Sequence, residues 1–353
     1  MSLLWNRQTG VVRRESCMFA GTDHVRLLFP AAELLRISCP ALGTEYLPGR
    51  DCTLSDDGRT LELLPDSRIP RLTARELHPE EPEARFFPAP DADAIRGGVD
   101  GRNLRFDNRS FFARTQIEVD YRSCGIDFRA ELEPQEKRLP RCRARLERRE
   151  LLNITVIGDS ISEGYNATAF TNSPPFEPAY PELVRRTLSE RFQTAVELRN
   201  RAIGGTGCRQ AADIADSWLG DRPDLLIVAY GMNDFSHLSA SEFIRTLAEI
   251  RGRCRRVSPE TEYLFIASMS GNPQWIPTRP GPDAEFAAAL REFVAGSPAD
   301  TALADVHKVW GKILEQKSFY DLTGNGVNHP NDYGHRIYAG VLLALFDPQE
   351  NCF

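Results

Sequence analysis

Four short stretches of this sequence carry groups suited to catalysis. A serine hydroxyl stands in Gly158-Asp159-Ser160, a side-chain amide in Gly231-Met232-Asn233-Asp234, and an imidazole in His329-Pro330. Between the first two lies the glycine-rich turn 204–207, whose bare backbone lets an N–H group approach a ligand closely. Each stretch alone also fits a simpler role, such as a helix cap or a turn. Together they supply a nucleophile, a base and hydrogen-bond donors.

These groups match the requirements of acyl transfer. A serine hydroxyl is a poor nucleophile until a base takes its proton, and histidine, with a pKa of about 6.5, can do so near neutral pH. Ser160 is therefore the predicted nucleophile and His329 the predicted base. The tetrahedral intermediate carries an oxyanion, which the backbone N–H groups of Ser160 and Gly205 and the amide of Asn233 would stabilise.

The elements that would position these residues follow from residue 153 onward. Apolar runs predict strands at 154–157, 195–203, 225–230, 263–269 and 301–306, and amphipathic runs predict helices at 181–192, 209–219, 241–257, 283–296 and 331–346. This alternation predicts right-handed βαβ units and a parallel sheet with helices on both faces, and five strands suit a flavodoxin-like sandwich. The serine, glycine and asparagine stretches each follow a predicted strand, at the edge where such sheets bind ligands.

The first part of the chain shows a different pattern. Turn residues separate short strand-like runs at 25–29, 34–37, 60–64 and 115–121, which predicts a small β-sandwich. Alternation in the last run places Ile117, Val119 and Tyr121 on one buried face. The basic segment from Arg138 to Arg149 is interpreted as a solvated linker helix. The predicted division is a β-sandwich domain at 1–137, a linker at 138–152 and an α/β domain at 153–353.

The four stretches resemble the four blocks of the SGNH (GDSL) hydrolase family, and they occur in the same order over roughly residues 153–347. The resemblance implies a flavodoxin-like α/β/α fold, no metal or cofactor, and ester hydrolysis through an acyl-serine intermediate. Mapped by motif, Ser160 is the nucleophile, Gly205 and Asn233 complete the oxyanion hole, and His329 is the base. The family pattern N-x-x-I-x-G selects Gly205 rather than Gly204. A jelly-roll-like β-sandwich ahead of this domain is similar to a subset of bacterial carbohydrate esterases that remove acetyl groups from sugars.

One position departs from the family pattern. Family members commonly place an aspartate three residues before the histidine, where this chain has Gly326. Asp321, Asn325 or a backbone carbonyl could instead hold the imidazole in the tautomer that accepts the serine proton. We therefore expect a Ser160–His329 dyad oriented by one of these three groups.

The composition argues against several other classes of protein. Of 353 residues, 41% are hydrophobic and 26% charged, which is typical of a globular protein. No apolar run approaches the roughly 20 residues that span a bilayer, and the amino terminus lacks a signal-peptide core, so we expect a cytoplasmic protein without a membrane partner. A net charge of −7 gives no general attraction to nucleic acid. The 8 cysteines include no C-x-x-C pair, which predicts reduced thiols and no zinc site.

The sequence therefore predicts a serine esterase that hydrolyses short-chain acyl esters. The expected substrate is a small molecule, an acylated sugar carrying O-acetyl groups. The same site would also suit acyl transfer to another alcohol, a lipase or a thioesterase, because these activities differ only in pocket shape and water access. A carbohydrate-binding protein that has lost catalysis is the remaining alternative, for which Gly326 is the one indication.

Overall fold

The computed structural model describes residues 3–6, 8–128, 132 and 135–346. Met1 and Ser2, which belong to the amino terminus discussed above, and Cys352 lie outside these residues. The other seven cysteines are free thiols. No helix in the described part of the chain is both long and apolar enough to cross a bilayer.

Residues 5–123 form a set of small, mainly antiparallel sheets, called here the β region. Its strands are β1 (Trp5–Asn6), β2 (Val11–Cys17), β3 (Phe19–Ala20), β4 (His24–Arg26), β5 (Ala31–Cys39), β6 (Thr44–Tyr46), β7 (Cys52–Leu54), β8 (Thr60–Leu63), β9 (Arg71–Leu72), β10 (Ala94–Ile95), β11 (Leu104–Arg105) and β12 (Ile117–Ser123). The largest sheet has the order β1-β2-β12-β5-β6, and β4-β8-β7 form a second one. Along β12 the side chains of Ile117, Val119 and Tyr121 are all buried, as the alternation predicts.

Short helices and the basic segment complete this part of the chain. Helices α1 (Ala74–Leu77) and α2 (Phe111–Thr115) connect strands of the β region, and a 3₁₀ turn spans Pro40–Leu42. The basic segment forms α3 (Pro140–Glu147), whose Cys142 and Leu146 are buried. The N–H of Cys142 donates to the buried Glu262 carboxylate at 2.8 Å. The interpretation of this helix as solvated is therefore wrong for one of its faces, which packs against the sheet.

The remainder, called here the α/β region, is built on a parallel sheet. Its strands are β13 (Leu152–Gly158), β14 (Val196–Asn200), β15 (Leu225–Ala229), β16 (Glu262–Ala267) and β17 (Thr301–Asp305). Their order is β14-β13-β15-β16-β17, and every adjacent pair is parallel. This is the doubly wound, flavodoxin-like order. All residues of β15 and β16 are buried, as expected for central strands covered by helices on both faces. The predicted fold class is confirmed.

The helices of the α/β region lie close to the predicted positions, with three differences. They are α4 (Ser160–Glu163), α5 (Tyr180–Phe192), α6 (Cys208–Asp213), α7 (Asp216–Leu219), α8 (Ala240–Val257), α9 (Pro282–Ala295), α10 (Val306–Leu314) and α11 (Asp332–Leu343), with 3₁₀ turns at Ile276–Thr278 and Phe319–Asp321. The strand predicted at 195–203 ends at Asn200. The helix predicted at 209–219 is two short helices, and α4 lies outside the predicted helices. Helix α10 was not predicted. Asp305 ends β17 and caps α10 by accepting the Lys308 N–H, so no loop separates the two elements.

The β region packs directly onto the α/β region. Buried apolar side chains from both belong to one continuous core cluster. Polar contacts also cross between them, including Asn331 Nδ2 to Ser16 Oγ at 3.0 Å and to Gln116 Oε1 at 2.9 Å. The division into domains at residues 137 and 153 remains a prediction.

Candidate active site

Ser160 stands where β13 ends and α4 begins. The preceding Gly158 has no room for a side chain, because a Cβ there would lie 2.5 Å from Ser162 Oγ. Asp159 caps the helix, and its carboxylate accepts the Ile161 N–H at 3.0 Å. This sharp strand-to-helix turn places Ser160 at the carboxyl edge of the sheet with 6% of its surface exposed.

The imidazole of His329 lies against this serine. Its Nε2 is 2.8 Å from Ser160 Oγ, and the side chain is buried. Burial disfavours the imidazolium ion and lowers the pKa of His329 to about 3, with a smaller effect from His335. The ring is therefore neutral near neutral pH and able to accept the serine proton.

The loop before His329 is shaped by Asn325. The Asn325 Oδ1 atom accepts the backbone N–H groups of Val327, Asn328 and His329, each at 3.0 Å. A further bond joins the Gly324 N–H to the His329 carbonyl at 2.8 Å. These bonds fix the backbone from which the imidazole projects.

The other ring nitrogen contacts a residue that the sequence analysis did not identify. His329 Nδ1 is 2.7 Å from Asn166 Oδ1, and Asn166 Nδ2 donates to the Asp107 carbonyl at 3.1 Å. With its amide nitrogen engaged by a carbonyl, Asn166 presents oxygen to the ring. The hydrogen-bond network thus assigns the imidazole hydrogen to Nδ1 and leaves Nε2 free to accept from Ser160.

The expectation that Asp321, Asn325 or a backbone carbonyl orients the imidazole is therefore wrong. Asp321 binds the Met18 and Ser318 N–H groups, and Asn325 supports the loop backbone instead. Asn166 lies shortly after Ser160, in the turn that follows α4, with a φ of 64° that asparagine tolerates. Its position shortly after Ser160 is the one sequence signal, and it does not distinguish Asn166 from an ordinary turn residue.

The predicted oxyanion donors lie on the loops after β13, β14 and β15. Gly204 donates its N–H to Glu163 Oε2 at 2.6 Å, whereas the N–H groups of Gly205 and Ser160 have no acceptor among the described residues. Gly205 has a φ of 75°, which favours glycine. The Asn233 amide donates to the Thr206 carbonyl at 3.0 Å and has a second hydrogen to give. Of the two neighbouring glycines, Gly205 is thus the one whose N–H remains available.

Two buried carboxylates support these loops. Asp234 Oδ1 accepts the Cys208 N–H at 3.0 Å, and a Cβ at Gly207 would overlap that oxygen. Burial raises the pKa of Asp159 to about 7, and the Asp234 carboxylate acts in the same direction. Burial likewise raises the pKa of Asp234. Both side chains have structural roles in the turns that present the donors.

An aromatic pair borders the site. The Tyr165 ring lies 5.5 Å from the His329 ring and 4.5 Å from Phe170, and 46% of Phe170 is exposed. A Cβ at Gly204 would lie 3.2 Å from the Tyr165 ring, so this ring also borders the glycine turn. The indole N–H of Trp275, in contrast, donates to the Arg96 carbonyl in the β region at 3.1 Å.

The remaining His, Cys, Asp and Glu side chains of the described residues form no metal centre. Within residues 3–6, 8–128, 132 and 135–346, no group of three or more His, Cys, Asp or Glu side chains could hold a metal ion. His335 accepts the Tyr180 N–H at 3.4 Å, and His307 lies 3.4 Å from Asp283. The site thus consists of the Ser160 hydroxyl, the His329 imidazole and the Asn166 amide in series, beside backbone N–H groups that have no acceptor within the described ranges.

Comparison with known proteins gives one family match. The model of the GDSL-like Lipase/Acylhydrolase family matches residues 156–337. No curated protein matches the chain. Similar solved structures include LAE5, an alpha/beta hydrolase enzyme from the metagenome of Lake Arreo, Spain, with 19% identity, a TM-score of 0.45 and coverage of 55% of this chain and 94% of that one.

Two further structures resemble the chain to a similar degree. Axe2, an acetylxylan esterase from Geobacillus stearothermophilus, has 17% identity, a TM-score of 0.46 and coverage of 56% of this chain and 94% of that one. CEX, a two-domain esterase active on acetylated mannans, has 19% identity, a TM-score of 0.48 and coverage of 62% of this chain and 55% of that one.

Proposed function

This chain belongs to the GDSL-like lipase/acylhydrolase family and is a carboxylic ester hydrolase, and from that premise we propose that it cleaves short acyl esters through an acyl-serine intermediate on Ser160. The observation that carries the proposal is the 2.8 Å contact between Ser160 Oγ and His329 Nε2. A hydroxyl held by a neutral imidazole is the arrangement that activates serine as a nucleophile.

The proposed reaction has two halves. His329 Nε2 takes the hydroxyl proton as Ser160 Oγ bonds to the ester carbonyl carbon, and it returns that proton to the leaving alcohol as the ester bond breaks. The same nitrogen then takes a proton from water as the water oxygen bonds to the acyl carbon. It returns that proton to Ser160 Oγ as the bond between this oxygen and the acyl carbon breaks, which releases the acid. Each proton passes through one ring nitrogen, so the tautomer of His329 governs both halves.

We assign the oxyanion to Ser160, Gly205 and Asn233. The N–H groups of Ser160 and Gly205, which have no acceptor in the part of the chain that the structure describes, and the second amide hydrogen of Asn233 are donors on three adjacent loops. Removing one such donor from a serine hydrolase slows the reaction about 10²- to 10³-fold. The Thr206 carbonyl holds the Asn233 amide in place while one hydrogen stays free.

The proposed substrate is a small molecule, an O-acetyl group on a saccharide. The Tyr165 ring occupies the space beside the imidazole and the glycine turn, which favours a short acyl group. Phe170 extends this aromatic surface outward and is 46% exposed, as residues that contact a ligand often are. The C–H faces of a sugar ring can pack against such a ring while its hydroxyls stay in water.

A labelling experiment tests the catalytic assignment. We expect a fluorophosphonate probe to label the wild-type protein and not the Ser160→Ala variant, because the probe reacts with activated serines. In parallel, the rates on p-nitrophenyl acetate, butyrate and octanoate and on acetylated sugars should favour acetate. An unlabelled wild-type protein, or label that persists in Ser160→Ala, would contradict the proposed mechanism. A preference for octanoate would contradict the proposed substrate.

A further inference from the structure

We infer that the β region is part of the catalytic apparatus, because its Asp107 carbonyl fixes the Asn166 amide and, through it, the tautomer of His329. The inference rests on the proposed function of Ser160 and His329. The three groups, from the Asp107 carbonyl through Asn166 to the imidazole, are called here the orienting chain. It replaces the aspartate that the family pattern would place before the histidine.

The first step of the argument concerns the direction of the amide. Asn166 Oδ1 lies 2.7 Å from His329 Nδ1, and Asn166 Nδ2 lies 3.1 Å from the Asp107 carbonyl oxygen. A flipped amide would place its oxygen against that carbonyl oxygen, where neither atom carries a hydrogen. The carbonyl therefore selects the orientation in which only an imidazole with hydrogen on Nδ1 can donate to Asn166. The neutral amide thus holds the hydrogen of His329 on Nδ1 through its orientation, whereas a carboxylate would do so partly through its charge.

The second step concerns what holds the carbonyl. The buried Asp107 carboxylate accepts the N–H groups of Arg109 at 2.9 Å and Phe111 at 3.0 Å, which forms a rigid turn. The N–H of Asp107 donates to the Asn325 carbonyl at 3.3 Å. Asn325 is the residue whose side chain fixes the backbone of His329. The turn therefore supports the imidazole both through Asn166 and through its own loop.

The third step explains why glycine, and not aspartate, stands three residues before His329. Gly326 has a φ of 89°, and a Cβ there would overlap the Arg105 carbonyl oxygen and lie 2.7 Å from Phe112 Cζ. Both atoms belong to the β region. With that region in place, an aspartate at 326 has no room, so the orienting group has to come from elsewhere. The packed β region thus excludes a side chain at position 326 and also supplies the carbonyl that orients Asn166.

The orienting role is tested by comparing Asn166→Ala with Asn166→Asp. The alanine variant leaves the imidazole free to adopt the wrong tautomer, a defect that costs about 10⁴-fold in a serine protease. We expect a fall in kcat on p-nitrophenyl acetate of about 10²- to 10⁴-fold, with KM little changed. The aspartate variant retains an acceptor at Nδ1 and adds a negative charge, so it should move the acid limb of the kcat/KM profile to higher pH. It should restore only part of the activity lost in the alanine variant, because its second oxygen faces the Asp107 carbonyl oxygen with no hydrogen between them.

Three readouts separate this role from simple packing. If Asn166 only fills space, the alanine variant would keep the kcat and the pH profile of the wild type; that result would overturn the inference. Labelling by the fluorophosphonate probe distinguishes a failure of the orienting chain from a failure of the proposed function. A labelled wild type with Asn166→Ala labelled at the same rate rejects the orienting chain alone, whereas an unlabelled wild type rejects the proposed function.

The contribution of the β region is tested by a double-mutant cycle. Asp107→Ala loosens the turn that carries the carbonyl, so it should lower kcat. Added to Asn166→Ala, it should lower kcat much less than it does in the wild type, because the path through Asn166 is already lost and only the support through Asn325 remains. Independent, multiplicative effects would overturn the inference. If Asp107→Ala does not fold, Asp107→Asn, which keeps one acceptor oxygen, takes its place in the cycle.

Asp57 provides a matched control. It also lies in a turn of the β region, and it accepts the N–H groups of Arg59 at 2.7 Å and Thr60 at 3.0 Å. Asp57→Ala should therefore loosen a turn of the β region without touching the orienting chain, and kcat should stay at the wild-type value. Equal losses of kcat in Asp57→Ala and Asp107→Ala would show that general loosening, not the Asp107 carbonyl, is responsible.

Discussion

At the scale of single residues, the environment of His329 determines what this site can do. The ring is buried, with Ser160 Oγ on one nitrogen and Asn166 Oδ1 on the other, and both partners are neutral. No carboxylate contacts the ring among the described residues, so nothing offsets the cost of burying an imidazolium ion. That cost lowers the pKa of His329 from 6.5 to about 3. The base is thus kept in its proton-accepting form by desolvation and by an oriented amide.

This environment predicts an unusually acid-tolerant enzyme. Activity requires the neutral imidazole, and a depressed pKa means that the neutral form persists as the pH falls below 6.5. We expect kcat/KM for p-nitrophenyl acetate to stay level through pH 6.5 and to decline only well below it. The measurement follows p-nitrophenol at its isosbestic wavelength, with circular dichroism at each pH to show that the protein is folded. An acid limb with its midpoint at 6.5 or above would contradict this prediction.

At the scale of elements, the turn between β13 and α4 positions Ser160, the proposed nucleophile. Its geometry depends on Gly158, because a Cβ there would press against Ser162 Oγ at 2.5 Å and against the carbonyl oxygen of Ala229 on β15 at 2.9 Å. Such contacts force the strand and the helix apart. The glycine of the nucleophile motif is therefore a packing requirement of the sheet as well as a feature of the turn.

Gly158→Ala should lower both stability and activity. Overpacking of this kind costs about 1–3 kcal/mol, which urea denaturation would measure, and the displaced Ser160 should lower kcat as well. Gly252 in α8 is the control, because the nearest atom to a Cβ there is Arg256 Nη1 at 3.9 Å. Gly252→Ala should stabilise the protein by about 0.5–1 kcal/mol, since alanine favours a helix. If both variants were more stable than the wild type, local backbone entropy and not crowding would dominate at Gly158.

The sequence indicates the elements of the α/β region well because their signals are local. Strand β15 is predicted to within one residue, since continuous apolar sequence and the following Gly231 mark it without reference to the rest of the chain. Helix α10 escapes prediction because Asp305 both ends a strand and caps a helix, so no turn signal separates them. Asn166 could not be predicted for a different reason. Its proposed orienting role depends on contacts with Asp107 and His329, which are distant from it in sequence and lie in different regions of the fold.

At the scale of the whole molecule, buried charges join the two regions. Lys317 Nζ in the α/β region lies 2.9 Å from the Glu15 carboxylate of β2 and 3.6 Å from Asp321, and all three side chains are almost completely buried. Lys317 Nζ also lies 3.1 Å from Cys17 Sγ. A single cation thus neutralises carboxylates from both regions, next to the loop that leads to His329. Docking of the β region therefore depends on this lysine as well as on the shared apolar core.

Lys317→Met tests this dependence. The substitution keeps much of the side-chain volume but leaves two buried carboxylates without a counter-ion, and breaking a buried pair in this way costs about 3–5 kcal/mol. The free energy of unfolding from urea denaturation measures the loss. Lys312→Met is the control, because its partner Glu315 lies 2.6 Å away with both side chains about half exposed, and exposed pairs contribute about 0–1 kcal/mol. A loss in Lys317→Met no larger than in Lys312→Met would show that water or protonation compensates the buried carboxylates, and that docking of the two regions does not depend on this lysine.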